Sequence, residues 1–221
     1  HVSIRFNGEE TKGAKNSGMF SSIVADRAYQ AMRTLVNEIE ADIWAVAYKA
    51  ASRAYGTAGT TPFATAADMT DFAGVARILD ENGAPVSDRQ LVLGHAAIGN
   101  LRGKQSGLFK VNEAGSSDML RNGMTDRIQN FAIRHSHQVG IHTKGAGTGY
   151  DINNGSGEAV GQTVLTVDGG TVNTTGIKSG DIITHAADSV NKYVVKTGLT
   201  DVAGDLVINK PGLLVAAPDA T

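Results

Sequence analysis

The feature that most constrains this chain is the stretch from Ser22 to Tyr55, SIVADRAYQAMRTLVNEIEADIWAVAYKAASRAY, which no glycine or proline interrupts. Its apolar positions Ala28, Met32, Leu35, Ile39, Ile43, Val46, Ala50 and Ala54 advance in steps of three or four, the period of a helix with one apolar face. Ser21 or Ser22 can cap the first amides, Asp26 places a negative charge in the first turn, and Gly56 stands where a left-handed residue would end the helix. About 34 residues at ~1.5 Å each make a rod of roughly 50 Å, against a radius of gyration of ~17 Å for a compact chain of this length. The spacing therefore predicts an elongated or flat subunit organised on one helix. Glu38 and Asp42, like charges one turn apart, read as a solvated acidic face.

The remaining composition excludes classes rather than choosing one. The chain has 221 residues and a formal net charge of −2, which gives no basic surface for gripping nucleic acid. It has no cysteine, so neither a disulfide framework nor thiol chemistry is available, as suits a reducing cytoplasm. No apolar run approaches the ~20 residues of a membrane span, and no signal-peptide pattern opens the chain. An opening on His1, directly in a strand-like run, reads as a fragment or a partly ordered product.

Residues 1–21 begin with the alternation Val2, Ile4, Phe6 and continue as a polar, glycine-punctuated tract, which predicts a short strand and a flexible extended arm. Gly8, Gly13 and Lys15 approach the phosphate-loop spacing, but Ala14 holds the lysine position. After the loop that follows Gly56, Thr65 to Leu79 reads as a helix with Ala67, Phe72, Val75, Ala76 and Leu79 on one side. Arg89–Leu93 reads as a buried strand and His95–Leu101 as a short helix. A further helix is expected from Ser116 or Ser117 through Met119 and Met124 to Ile128, and Phe131–Val139 reads as a returning strand.

That strand carries His135 and His137 on one face, with His142 close behind, the only cluster with metal-ligand chemistry in view. Its neighbours Arg134, Ser136, Gln138 and Lys144 supply no carboxylate to orient the imidazoles, so the histidines read as polar strand or interface residues and no metal or cofactor is assigned. No nucleophile elbow, HExxH helix or paired carboxylates accompany them. The Gly145, Gly147, Gly149 run reads as a hinge within a glycine-rich linker over 140–160. Beyond it, QTVLTVDGG, GDIITHA, NKYVVKT, DLVINK and GLLVAAP are short β runs, which predict a separate small barrel or sandwich over 161–221.

The order of these parts resembles the tailed-phage major capsid (coat) proteins. The likeness is carried by the arm VSIRFNGEETKGAKNSG feeding into the long helix, by RQLVLGHAAIGNLRG, by EAGSSDMLRNGMTDRIQNFAIRHSHQV, and by GIKSGDIITHAADSVNKYVVKTG. It is similar to the branch with a β-barrel insertion domain found in short-tailed Salmonella phages. The resemblance implies an α+β, Hong Kong 97-like capsid fold: an arm over 1–21, a peripheral domain with its spine helix over 22–87, an α/β axial lobe over 88–139, and the β insertion domain. It implies a shell subunit that forms hexamers and pentamers, works with scaffolding and portal proteins, encloses double-stranded DNA without specific contacts, and assembles in the bacterial cytoplasm into the virion. Arg5, Glu9, Lys12 and Lys15 of the arm would meet a neighbouring subunit. Relatives usually carry an arm before this region and strands after the insertion, which this chain lacks. Some relatives form a lysine–asparagine crosslink, and no matching acid and asparagine motif accompanies Lys12 or Lys15.

Two other classes compete with a structural role. A ligand- or carbohydrate-binding β module would need a concave aromatic site, yet Tyr193 is the only aromatic residue beyond position 160. A metal-dependent hydrolase would have to be built on His135, His137 and His142.

Overall fold

A computed structural model describes residues 7–65, 68–104, 127–171 and 175–219. The chain is of the mixed α+β class and divides into two compact units, His1–Val46 and Ala47–Thr221.

The first unit holds helix α1 (Gly8–Asn16) and most of helix α2 (Phe20–Ala50). The extended arm expected over 1–21 is thus corrected at 8–16, and the strand expected at Val2–Phe6, with Arg5, lies outside the described residues. The reason for the helix is local. The Asn7 side chain accepts from the Glu10 amide at 2.7 Å and the Glu10 carboxylate accepts from the Asn7 amide at 3.2 Å, a reciprocal capping box. Glu9 and Glu10 sit at the positive end of the helix dipole and Lys15 at the negative end. Gly18 then takes φ 69°, the left-handed turn that separates α1 from α2.

Helix α2 begins two residues before Ser22 and stops at Ala50, short of the Tyr55 expected from the periodicity. Two distant partners end it. The Asn209 side-chain amide donates to the carbonyls of Lys49 (2.7 Å) and Ala51 (2.8 Å), satisfying acceptors that the helix end leaves open. Arg53–Ala54 then becomes strand β1, paired with Tyr193 and Lys192.

The second unit has two cores. One gathers Phe63, Phe72, Leu93, Ala97, Ile98, Leu101, Phe131 and Ile133. Phe72 comes from α3 (Thr70–Glu81), whose Val75, Ala76 and Leu79 pack on the same cluster as the sequence predicts; the helix starts five residues late, where the Asp68 carboxylate accepts from the Thr70 amide. Strand β2 (Gln90–Leu93) and helix α4 (His95–Gly103) lie as expected. Ile128 belongs to strand β3 (Arg127–Ile128) rather than to a helix, and the remainder of that expected helix lies outside the described residues. Gln129 and Asn130, at φ 47° and 69°, form the tight turn into β4 (Phe131–His135), which pairs antiparallel with β3 and parallel with β2. Parallel pairing demands a crossover, and α4 supplies part of it.

The other core is Leu165, Val167, Tyr193, Val195, Leu206, Ile208, Leu213 and Ala217. It lies on a six-stranded antiparallel sheet built from β1, β5 (Asp151–Ile152), β6 (Val164–Asp168), β7 (Ile182–His185), β8 (Asp188–Thr197) and β9 (Gly204–Ile208). β8 is central, pairing with β1, β7 and β9. Residues 213–217 form no strand and join the sheet through the Glu158–Ala217 bridge.

The 140–160 segment, expected as a linker with a hinge, is instead tied into this sheet. Buried Asp181 accepts from the amides of Gly145 (2.9 Å) and Lys178 (2.8 Å) and meets His142 Nε2 at 2.6 Å. The Gly147 amide donates to the Gly176 carbonyl at 2.8 Å, and Asp151–Ile152 supplies β5. Glycine is required because a Cβ at residue 145 would stand 2.1 Å from the Gly176 carbonyl oxygen. Gly145→Ala must push these backbones apart and should lower the melting temperature by several degrees, equivalent to about 1 to 3 kcal/mol; calorimetry on the full chain would show it, and an unchanged melt would mean that the segment is loosely held.

At the start of β8, the Asp188 carboxylate accepts from the Tyr193 hydroxyl (2.6 Å), the Asn191 amide and side chain, and the Val190 amide. Burial alone would raise its pKa, but these donors, led by Tyr193, outweigh it and bring the value down to about 2. Because the folded value lies below the ordinary 3.8, the stabilisation is complete above that pH and is lost as pH falls toward 2. Wild type should exceed Asp188→Asn by on the order of 2 kcal/mol at pH 7, with the gap closing between pH 4 and 2. Urea midpoints across that range test this, and a pH-independent gap would refute it.

Candidate functional site

Among the described residues, the 31-residue helix α2 buries none of its side chains. Tyr29, Met32, Leu35, Val36, Ile39, Ile43 and Val46 on α2 are between 39% and 72% exposed. At 100° per residue they occupy one arc of about 120°, so they form a continuous apolar stripe rather than scattered exposed residues. Isolated apolar side chains at a surface are ordinary, but a contiguous stripe on one helix has the character of an interaction face.

The charged residues of the arm take local roles on α1. Glu9 and Lys15 complement the helix dipole at opposite ends, and the Lys15 ammonium lies 5.7 Å from the centre of the Phe20 ring. Lys12 is exposed on the same helix. Gly8, Gly13 and Lys15 lie within this helix and form no phosphate-cradling loop.

The three histidines do not form one group. His135 is the last residue of β4, His137 follows in a turn, and His142 is held by Asp181 against the Tyr48 ring, 5.1 Å away. In place of His142 the fold brings His95, from the first turn of α4, to 5.9 Å from the His135 ring and 5.4 Å from the His137 ring. The sequence reading missed His95 because it lies 40 residues before His135; the signal was that β2 and β4 are parallel with Leu93 opposite His135, which puts the chain two residues beyond Leu93 beside the end of β4. All three are exposed, and among the described residues no three metal-ligating side chains are arranged to hold an ion.

Buried charge in the second unit serves structure. Arg89 donates to Asp80 (2.6 Å) and to the carbonyls of Ala84 and Pro85, fastening the turn after α3. The Lys104 ammonium donates to the carbonyls of Thr65 and Asp68. Arg53 pairs with Glu81 and also reaches the Ile78 carbonyl and Asn82. Each of these cations closes a loop or a helix end, and no helix among the described residues is long and apolar enough to cross a membrane.

If the α2 stripe serves a partner, it contributes little to the subunit itself. Ile43→Gln should therefore leave the melting temperature of the isolated chain within about 2 °C, the usual range for an exposed position; a drop of many degrees would mean that the face is part of an internal core. A scan against protein-family models and a search of curated proteins found no match to this chain.

Proposed function

We propose that this chain is a structural protein, the major capsid subunit of a tailed phage or prophage, with the Hong Kong 97-like fold and self-assembly into an icosahedral shell. The observation that carries this reading is the uncovered apolar face of α2, which exposes seven large apolar side chains that a subunit acting alone has no reason to keep. An assembling subunit does, because the same surface is covered once neighbours arrive.

The other features agree with such a role. The buried cations Arg53, Arg89 and Lys104 are committed to loop and helix ends rather than to a reacting centre. A net charge of −2 suits a wall that surrounds DNA without binding it tightly, with scaffolding and portal proteins as the specific partners. The arm reading is narrower than an extended loop: α1 has no buried residue, and at nine residues it is too short to be stable by itself, so contact with a neighbouring subunit would order it.

Removal of residues 1–17 tests this directly. The truncated chain should melt within a few degrees of the intact one, because α1 contributes nothing to either core, yet it should fail to form particles. Electron microscopy and sedimentation of intact and truncated protein under assembly conditions provide the measurement. Closed shells from the intact chain and none from the truncated chain are expected; no particles from the intact chain with any scaffold partner, or normal shells from the truncated one, would overturn the proposal.

A further inference from the structure

We propose that α2 pairs with α2 of a second copy of this chain as an antiparallel coiled coil, with Val36 of one copy opposite Ile39 of the other. This rests on reading the stripe as an assembly surface and names its partner.

The stripe is narrower and more regular than packing on a globular core requires. Tyr29, Met32, Val36, Ile39, Ile43 and Val46 follow one another at intervals of three, four, three, four and three, and Ala50 continues the series. That alternation is the seven-residue repeat of a seam that meets another helix, with Tyr29, Val36 and Ile43 at one core position and Met32, Ile39 and Val46 at the other. All six are exposed. The flanking positions carry Arg33 and Glu40 on one side and Leu35 and Asp42 on the other.

These flanks choose the direction. In a parallel, in-register pair, Leu35 would face Glu40, Asp42 would face Ala47 and Ala28 would face Arg33, so no opposite charges would meet. Two Tyr29 side chains would also be forced together. β-branched residues at both core positions further disfavour a parallel dimer. In the antiparallel pair, Tyr29 faces Val46, Met32 faces Ile43 and Val36 faces Ile39, so each Tyr29 meets a smaller valine instead of a second tyrosine. Arg33 then lies beside Glu40 of the second copy, and two-fold symmetry makes that pair twice. Glu40, which would face Leu35 in the parallel pair, meets Arg33 in the antiparallel one, while Asp42 lies beside Leu35.

The absence of native cysteine makes the test clean. Tyr29→Cys and Val46→Cys are made separately in the full chain, with tags of different mass, and are oxidised alone and as a mixture. The antiparallel pairing predicts a disulfide dimer of one chain of each kind in the mixture and only traces in either variant alone. Sedimentation equilibrium of the unmodified chain should show dimers at tens of micromolar, and Ile39→Arg should return it to monomer. A monomeric chain at that concentration, a dimer of Tyr29→Cys with itself as the main product, or a dimer with no crosslink in the mixture would each overturn the proposal. The two readings fail separately: shells without the 29–46 crosslink would sink the pairing alone, and the crosslink without shells would sink the capsid reading alone.

Discussion

A guanidinium taken out of water has to be answered, and the answer given to Arg53 fixes much of the second unit. Its side chain is buried, and it reaches Glu81 and the Ile78 carbonyl of α3, Asn82 just beyond it, and Asn191 of β8 at 3.4 Å. One residue thereby holds the exit of the long helix, the end of α3 and the central strand of the large sheet in register. Such a cation is costly to bury and more costly to leave unpaired, so the three elements are constrained together rather than singly. Both cores lie on elements that this side chain touches: Phe72 stands on α3 and Tyr193 lies on β8, paired directly with Arg53.

What could be read from the sequence was whatever depends on near neighbours. The period of α2, the apolar face of α3, the strand at Gln90–Leu93 and the helix after Gly94 all follow from residues within a turn or a pleat of one another. The ends did not. α2 stops where Asn209 caps it, and no local pattern announces a partner just beyond β9. The glycines at 145 and 147 looked like freedom and are in fact sites of close backbone approach, a distinction that needs Gly176 and Asp181 in view. The helix at Gly8–Asn16 was legible after all, since Asn7 and Glu10 have capping-box spacing, but the glycines at 8 and 13 outweighed that signal. At the histidines, sequence proximity suggested His142, whereas strand direction selects His95. The apolar stripe of α2 was visible as a period; that it would remain uncovered was not.

An uncovered apolar face is a compromise between two states of the same molecule. Apolar surface left in water costs about 25 cal/mol for each Å², which makes the lone chain less soluble and its association more favourable by the same physical term. Net charge offers only weak protection, because −2 is near neutrality for a chain of this size. In the proposed pairing concentration decides which state is populated, so the face would act as a threshold rather than as a permanent contact.

The cap on α2 also sets an order in time. The Asn209 side chain that closes the helix end is 160 residues downstream of Lys49. During synthesis at roughly 5 to 20 residues per second, that separation corresponds to about 10 to 30 s. Helix formation takes microseconds, so α2 can form well before the residue that caps it has been made. The end of α2 is thus closed by a residue made after every strand of the large sheet, so the long helix is fastened last.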